Sequence, residues 1–94
     1  MAKASWNGAV VALSASYRTV EDNVYFPPDT VRHEHLRPSS HTSICPWKGV
    51  AHYFDLVVDD HVNGNAAWYY PDPKPAAAEI KDHVAFWKGV TVER

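Results

Sequence analysis

Apolar positions in this chain come in short runs, each stopped by turn-forming residues, and no run reaches the ~18 residues of a membrane-spanning helix. Val10-Val11-Ala12-Leu13 reads as a short buried strand, Tyr17-Arg18-Thr19-Val20 as a second, and Val24-Tyr25-Phe26 as a third that stops at Pro27-Pro28. Asp29 is placed to cap a short helix through His35 or Leu36, ended by Pro38. Ser39 to Ile44 is a hydroxyl-rich loop or edge, and Cys45-Pro46-Trp47-Lys48-Gly49 carries two breakers of a shaped turn. The clearest strand is Val50 to Val58. Its even positions (Val50, His52, Phe54, Leu56, Val58) make an apolar face and its odd positions a mixed one. The chain then reverses at Asp59-Asp60 or at Asn63-Gly64, the latter being the stronger signal by residue type. Asn65 to Tyr70 is the return strand, with Ala66, Trp68 and Tyr70 on one face. Pro71 to Pro75 is a stiff connector, and Ala76 to Lys81 has room for one or two helical turns. Val84 to Trp87 and Val90 to Val92 are expected to form a final hairpin around Lys88-Gly89. Together these elements predict a mainly β, antiparallel, rolled two-sheet fold with one or two short helices, in a single domain over residues 1–94.

Composition sharpens this picture at one point. Aromatic residues make 13% of the 94, with 4 Trp and 5 Tyr, more large rings than so small a core requires. Some of them are expected to line a surface or a pocket. Net charge is -2, which disfavours nucleic acid, since phosphate binding needs a basic field. The single cysteine, Cys45, excludes an intrachain disulfide and favours the cytoplasm. Gly8 to Ala15 faintly imitates a signal peptide but is too short, and no membrane partner is expected.

Several residues could carry chemistry. Cys45 is the candidate nucleophile, with Lys48 three residues on and His41 or His52 able to approach in space. A lone Cys in a small domain is more commonly a small buried hydrophobe. His33-Glu34-His35 suggests a metal, but i, i+2 ligands converge only on an extended segment and a helix is expected there, so no metal site is assigned. A four-cysteine zinc site is excluded. No glycine-rich phosphate loop occurs, and no cofactor is expected. Asp59-Asp60 reads as a solvated turn. The rings are more informative: Trp47 in the Cys-Pro turn, Tyr53 on the long strand, and Trp68 and Tyr70 on its partner stand close enough to form a wall. Lys48, with Arg37 near, adds charge there, and Ser39, Ser40, Thr42 and Ser43 add hydroxyls. Polar groups convergent on an aromatic wall describe a small-molecule pocket; packed as a core, the same rings describe none.

Trp6-Asn7-Gly8, Tyr25-Phe26-Pro27, Leu36 with Pro38-Ser39, Thr42 with Cys45 to Gly49, Ala51 and Tyr53, Ala66 to Pro71, and Val84-Ala85-Phe86 recur as one ordered set along the whole length. In these strings the chain resembles the bacterial family catalogued as domain of unknown function 427. The resemblance implies a β-tent-like architecture, shared with methionine-R-sulfoxide reductases and the thalidomide-binding domain of cereblon. There, two antiparallel sheets meet at an angle and hold a ligand between them. Many of those relatives carry a four-cysteine zinc site, which this chain lacks. The family is sometimes labelled nucleotidyltransferase-like, but no Gly-Ser helix start and no paired strand Asp supports that label here. The family pattern falls on Tyr25, Thr42, Cys45, Trp47, Lys48, Tyr53, Trp68 and Tyr70.

The reading is therefore a domain that binds an unknown small molecule. Tyr25, Trp47, Tyr53, Trp68 and Tyr70 would line the site, while Lys48 and Thr42 would orient an anionic or polar group. The alternative is a thiol-dependent enzyme with Cys45 as nucleophile and Lys48 as its activator. A nucleotidyltransferase or a protein-interaction module comes behind both, and pairing into a homodimer would suit so thin a domain.

Overall fold

A computed structural model describes all of residues 1–94. Nine strands appear: β1 (Ala2–Trp6), β2 (Ala9–Ser14), β3 (Arg18–Val20), β4 (Asn23–Tyr25), β5 (Leu36–Cys45), β6 (Gly49–Val58), β7 (His61–Tyr69), β8 (Val84–Phe86) and β9 (Thr91–Glu93). They form a three-stranded sheet in the order β2-β1-β9, a two-stranded β3-β4 ribbon and a four-stranded sheet in the order β5-β6-β7-β8. Every strand pairing is antiparallel, as the sequence predicts. The ribbon continues into Phe26, which exchanges two backbone hydrogen bonds with Val84 and so joins β8 at the sheet edge. No helix is long and apolar enough to cross a membrane.

Three hairpins turn on two residues each, all with positive φ: Asn7-Gly8, Glu21-Asp22 and Asp59-Asp60. That geometry twists in the same hand as the strands it joins. The chain between β6 and β7 therefore reverses at Asp59-Asp60, not at Asn63-Gly64. Asn63-Gly64 instead opens a bulge inside β7. There Phe54 faces Ala67 and Leu56 faces Asn63, so Gly64, Asn65 and Ala66 stand against Asp55 alone. The Asp55 Oδ1 accepts the freed Asn65 N–H at 2.9 Å, which satisfies the bulged backbone.

Two other expectations are corrected, and two more are met. The helix from Asp29 is two single 3₁₀ turns, Pro28–Thr30 and His33–His35. Between them Val31 is extended and buried against the first sheet, bridging Ala12, and burial of that β-branched side chain outweighs the local capping signal. The one or two helical turns expected over Ala76 to Lys81 are 3₁₀ turns, Pro75–Ile80, with a kink at Ala77. The final hairpin does not form: β8 pairs with β7 and β9 with β1. Of the two readings of Ser39 to Ile44, loop or edge, the structure has the edge, as part of β5, and β1 is a further strand that the apolar pattern did not mark.

Two cores result, one on each side of the four-stranded sheet. The larger joins Ala2, Ala4, Val11 and Ala12 of the first sheet to Leu56, Val58, Ala67, Val84 and Phe86 of the second, with Val24, Phe26 and Val31 between them. The smaller gathers Tyr25, Ala51, Tyr70, Ala77, Ile80 and Ala85. Strand β6 serves both. Leu56 and Val58 enter the larger core, while Ala51 enters the smaller, which is why its odd face reads as mixed.

Candidate functional site

Alternation along paired strands places side chains before any contact is considered. Tyr53 is directly opposite Trp68, which is opposite Ala85. Tyr70 and Trp87 follow two residues on in each chain, so Tyr53, Trp68, Tyr70 and Trp87 share the face that carries the smaller core. These four rings and Lys48 line a surface cavity of about 180 Å³.

Three of the four rings are held by side-chain hydrogen bonds. Tyr25, fully buried, meets Trp68 edge-on at 6.2 Å, and its hydroxyl accepts the Trp68 Nε1–H at 3.1 Å. Trp87 stands perpendicular to Trp68 at 5.8 Å and donates its Nε1–H to the Asn65 carbonyl of the bulge at 2.6 Å. Both indole N–H groups are thus already bonded within the protein, and the rings offer a ligand their π faces. The Tyr53 hydroxyl shares a hydrogen bond of 2.9 Å with Ser43.

Lys48 comes from the Cys45–Gly49 turn. Gly49 has φ 114, and a Cβ there would lie 3.4 Å from the Asp72 carbonyl, because the proline-rich connector packs directly on the turn. The Lys74 N–H donates to the Lys48 carbonyl at 2.9 Å and Lys74 Nζ to the Pro46 carbonyl at 2.6 Å, pinning the connector. The Lys48 side chain lies inward from this turn and is only 7% exposed. Its ammonium lies 5.5 Å from the centres of the Trp47 and Tyr70 rings, within cation–π range, and is ion-paired with Glu21. Burial works to lower the Lys48 pKa, but the Glu21 hydrogen bond and the neighbouring phenols outweigh it and leave the pKa raised. The same hydrogen bond holds the Glu21 carboxyl below its usual range. Burial pushes the Tyr70 phenol up, against the pull of Lys48. Lys48 is therefore a fixed cation, unsuited to act as a neutral amine nucleophile.

Four of the eight candidate residues line the cavity: Lys48, Tyr53, Trp68 and Tyr70. Tyr25 supports Trp68 from the core. Trp47 is 40% exposed and touches the cavity only through the Lys48 ammonium. Cys45 is half-buried against the smaller core and is not part of the lining. Thr42 is opposite His52, so it projects from the other face of the sheet; the hydroxyl beside the cavity is that of Ser43. Trp87 falls outside the sequence candidates because Val84 to Trp87 reads as half of a separate hairpin; the signal the sequence does carry is a fourth Trp placed just before Lys88-Gly89.

No group of three or more His, Cys, Asp or Glu side chains is gathered to hold a metal ion. His33 and His35 bond to different carbonyls, Pro28 at 2.9 Å and Val57 at 3.3 Å. The family described as Domain of unknown function (DUF427) has a model that matches residues 1–94. No curated protein matches the chain.

Proposed function

The chain belongs to the family described as domain of unknown function 427, and on that premise we propose that it is a small-molecule-binding domain whose ligand lies against Trp68 and Trp87, beside Lys48. The observation that carries this reading is the cavity itself: four rings and one ammonium around about 180 Å³, with both indole N–H groups bonded elsewhere. Convergent apolar walls with one fixed polar group are the usual form of a ligand site. The volume is below the ~300–1,000 Å³ of drug-sized sites, so the ligand portion bound is about one ring with one substituent. Ring faces favour a planar body, and Lys48 favours an acceptor or anionic substituent. A single unpaired thiol fits a reducing compartment, and cytoplasmic residence is part of the proposal.

The test is a screen of monocyclic aromatic fragments by ¹H-¹⁵N correlation spectra. Hits should move the Trp68 and Trp87 indole N–H signals together. Trp87→Ala should weaken each hit about tenfold, the value of one good aromatic pair, because exposed Trp87 serves the cavity more than the core. Hits that move other regions, or affinities indifferent to Trp87, would refute the reading.

A further inference from the structure

A nearly buried ammonium needs a counter-charge, and Lys48 takes its own from an unlikely place in the chain. Its one ion-pair partner is Glu21, whose side chain is half exposed at 51%. Glu21 occupies the first turn position of the β3-β4 hairpin with φ 52. That conformation suits Gly, Asn or Asp, and Glu adopts it at a steric cost. The hairpin itself is slight, two strands of three residues. Apart from Glu21, its tip is tied by exposed Arg94, which donates to the Asp22 carbonyl at 2.9 Å and to its carboxylate at 3.2 Å. Lys48 lines the cavity, whereas Glu21 does not. Lys48 is thus the one residue common to the ion pair and the proposed ligand site.

We propose that the Glu21 carboxylate stands in for the ligand's own carboxylate: the ligand is a planar ring bearing a carboxylate, and on binding it displaces Glu21 from Lys48 and frees the β3-β4 tip. This rests on the cavity being the ligand site. The exchange conserves charge at Lys48, since one carboxylate leaves as the other arrives. The buried cation is never left unpaired, which would be strongly destabilising. Two carboxylates held together on one ammonium would repel, so replacement is favoured over addition. Glu21 can leave into solvent with little rearrangement, because its side chain is already half exposed. The ligand gains a cation already desolvated and flanked by rings, where charge interactions are stronger than in water. An internal competitor lowers apparent affinity by the fraction of time it holds the site, and so selects for ligands with the matching charge.

The experiment compares benzoate with its neutral analogue benzamide on the wild-type chain, Glu21→Gln and Glu21→Gly, by calorimetric titration and by the Trp68 and Trp87 indole signals. Gly is included because it keeps the turn conformation while removing the carboxylate. Benzoate should bind both variants about tenfold more tightly than wild type, the scale of one displaced charge-assisted hydrogen bond, and benzamide should bind all three alike. Benzoate should also raise the melting temperature of the variants more than that of wild type. If a variant is unfolded alone, selective refolding by benzoate supports the exchange, and its absence overturns it. Benzoate binding that is unchanged or weakened in both variants overturns the exchange while leaving the cavity as a ligand site. Failure of both probes to move either indole in any of the three chains overturns the cavity reading and the exchange together.

Discussion

Trp68 is the residue on which both the core and the cavity depend. One edge of its indole is bonded to the hydroxyl of fully buried Tyr25, and its face lines the cavity. The bond fixes the ring's angle as well as its position, because the two planes stand at 89°. Removing either partner leaves the other polar group without its hydrogen bond in a poorly hydrated place, a cost of about 1–3 kcal/mol. Tyr25→Phe and Trp68→Phe should each destabilise the chain by that order. The Trp68 change costs more, since it also removes ring area. The double variant should cost less than the sum by about 1 kcal/mol, because no orphaned group then remains. Urea unfolding of the four chains closes the cycle, and strict additivity would show that the hydrogen bond contributes nothing. Lys48 shows the opposite economy. Its position three residues after Cys45 suggested an activator of that thiol, yet the structure commits its charge to Glu21, 27 residues earlier. No local pattern could reveal that partner.

The strands were readable where alternation and turn chemistry agreed, and obscured where a bulge or a long-range pairing intervened. The Val50–Val58 reading succeeded because Phe54, Leu56 and Val58 repeat at period two and enter one core. Asn63-Gly64 misled because its residue types fit a two-residue turn and a bulge equally well, and Asp59-Asp60 was already placed to close the hairpin at Val58 and His61. The bulge has a function in the site. Asn65 offers its carbonyl to Trp87, Gly64 its carbonyl to Lys88 at 3.3 Å, and the Asn63 side chain donates to the Lys88 carbonyl at 2.8 Å. The segment that brings Trp87 to the cavity is thus anchored on Asn63 and Gly64, which sequence alone assigns to a turn, and on Asn65, which it assigns to the start of the return strand. Asp55 holds this arrangement through the Asn65 N–H. Asp55→Ala should destabilise the chain by about 1–2 kcal/mol and shift the Trp87 indole signal, while Asp55→Asn, which keeps an acceptor, should do neither to the same degree. An unmoved Trp87 signal in the alanine variant would separate the bulge from the site. Strand β1 was missed for a related reason: Ala2 and Ala4 carry little hydrophobic signal, and what makes them core is the pairing with β2 and β9.

Across the whole molecule, a core packs on each face of the four-stranded sheet, and the ion pair between Glu21 and Lys48 ties the corner where the ribbon meets the Cys45–Gly49 turn. That pair connects stability to pH at both ends of the scale, with signs set by the direction of each shift. Glu21 has a folded pKa below its ordinary 4.5, so below that value the unfolded chain takes up the proton first. Its contribution is present above 4.5 and is lost as pH falls through the folded pKa. Lys48 has a folded pKa above its ordinary 10.5, so the unfolded chain releases the proton first. Its contribution is present below 10.5 and is lost as pH rises towards the folded pKa. Tyr70, raised above 10.0, adds to the alkaline loss, because the unfolded phenol ionises while the folded one stays neutral. The stability gap between wild type and Glu21→Gln should therefore be flat across the neutral range. It should narrow below pH 4.5, where the carboxylate is lost from the wild type. It should narrow again above pH 10.5, where the unfolded wild-type chain sheds the Lys48 proton and the stabilisation from the pair is lost. Urea midpoints for the two chains at matched pH and salt measure that gap directly. A gap that stays constant through both limbs would mean that the pair closes the corner by packing alone.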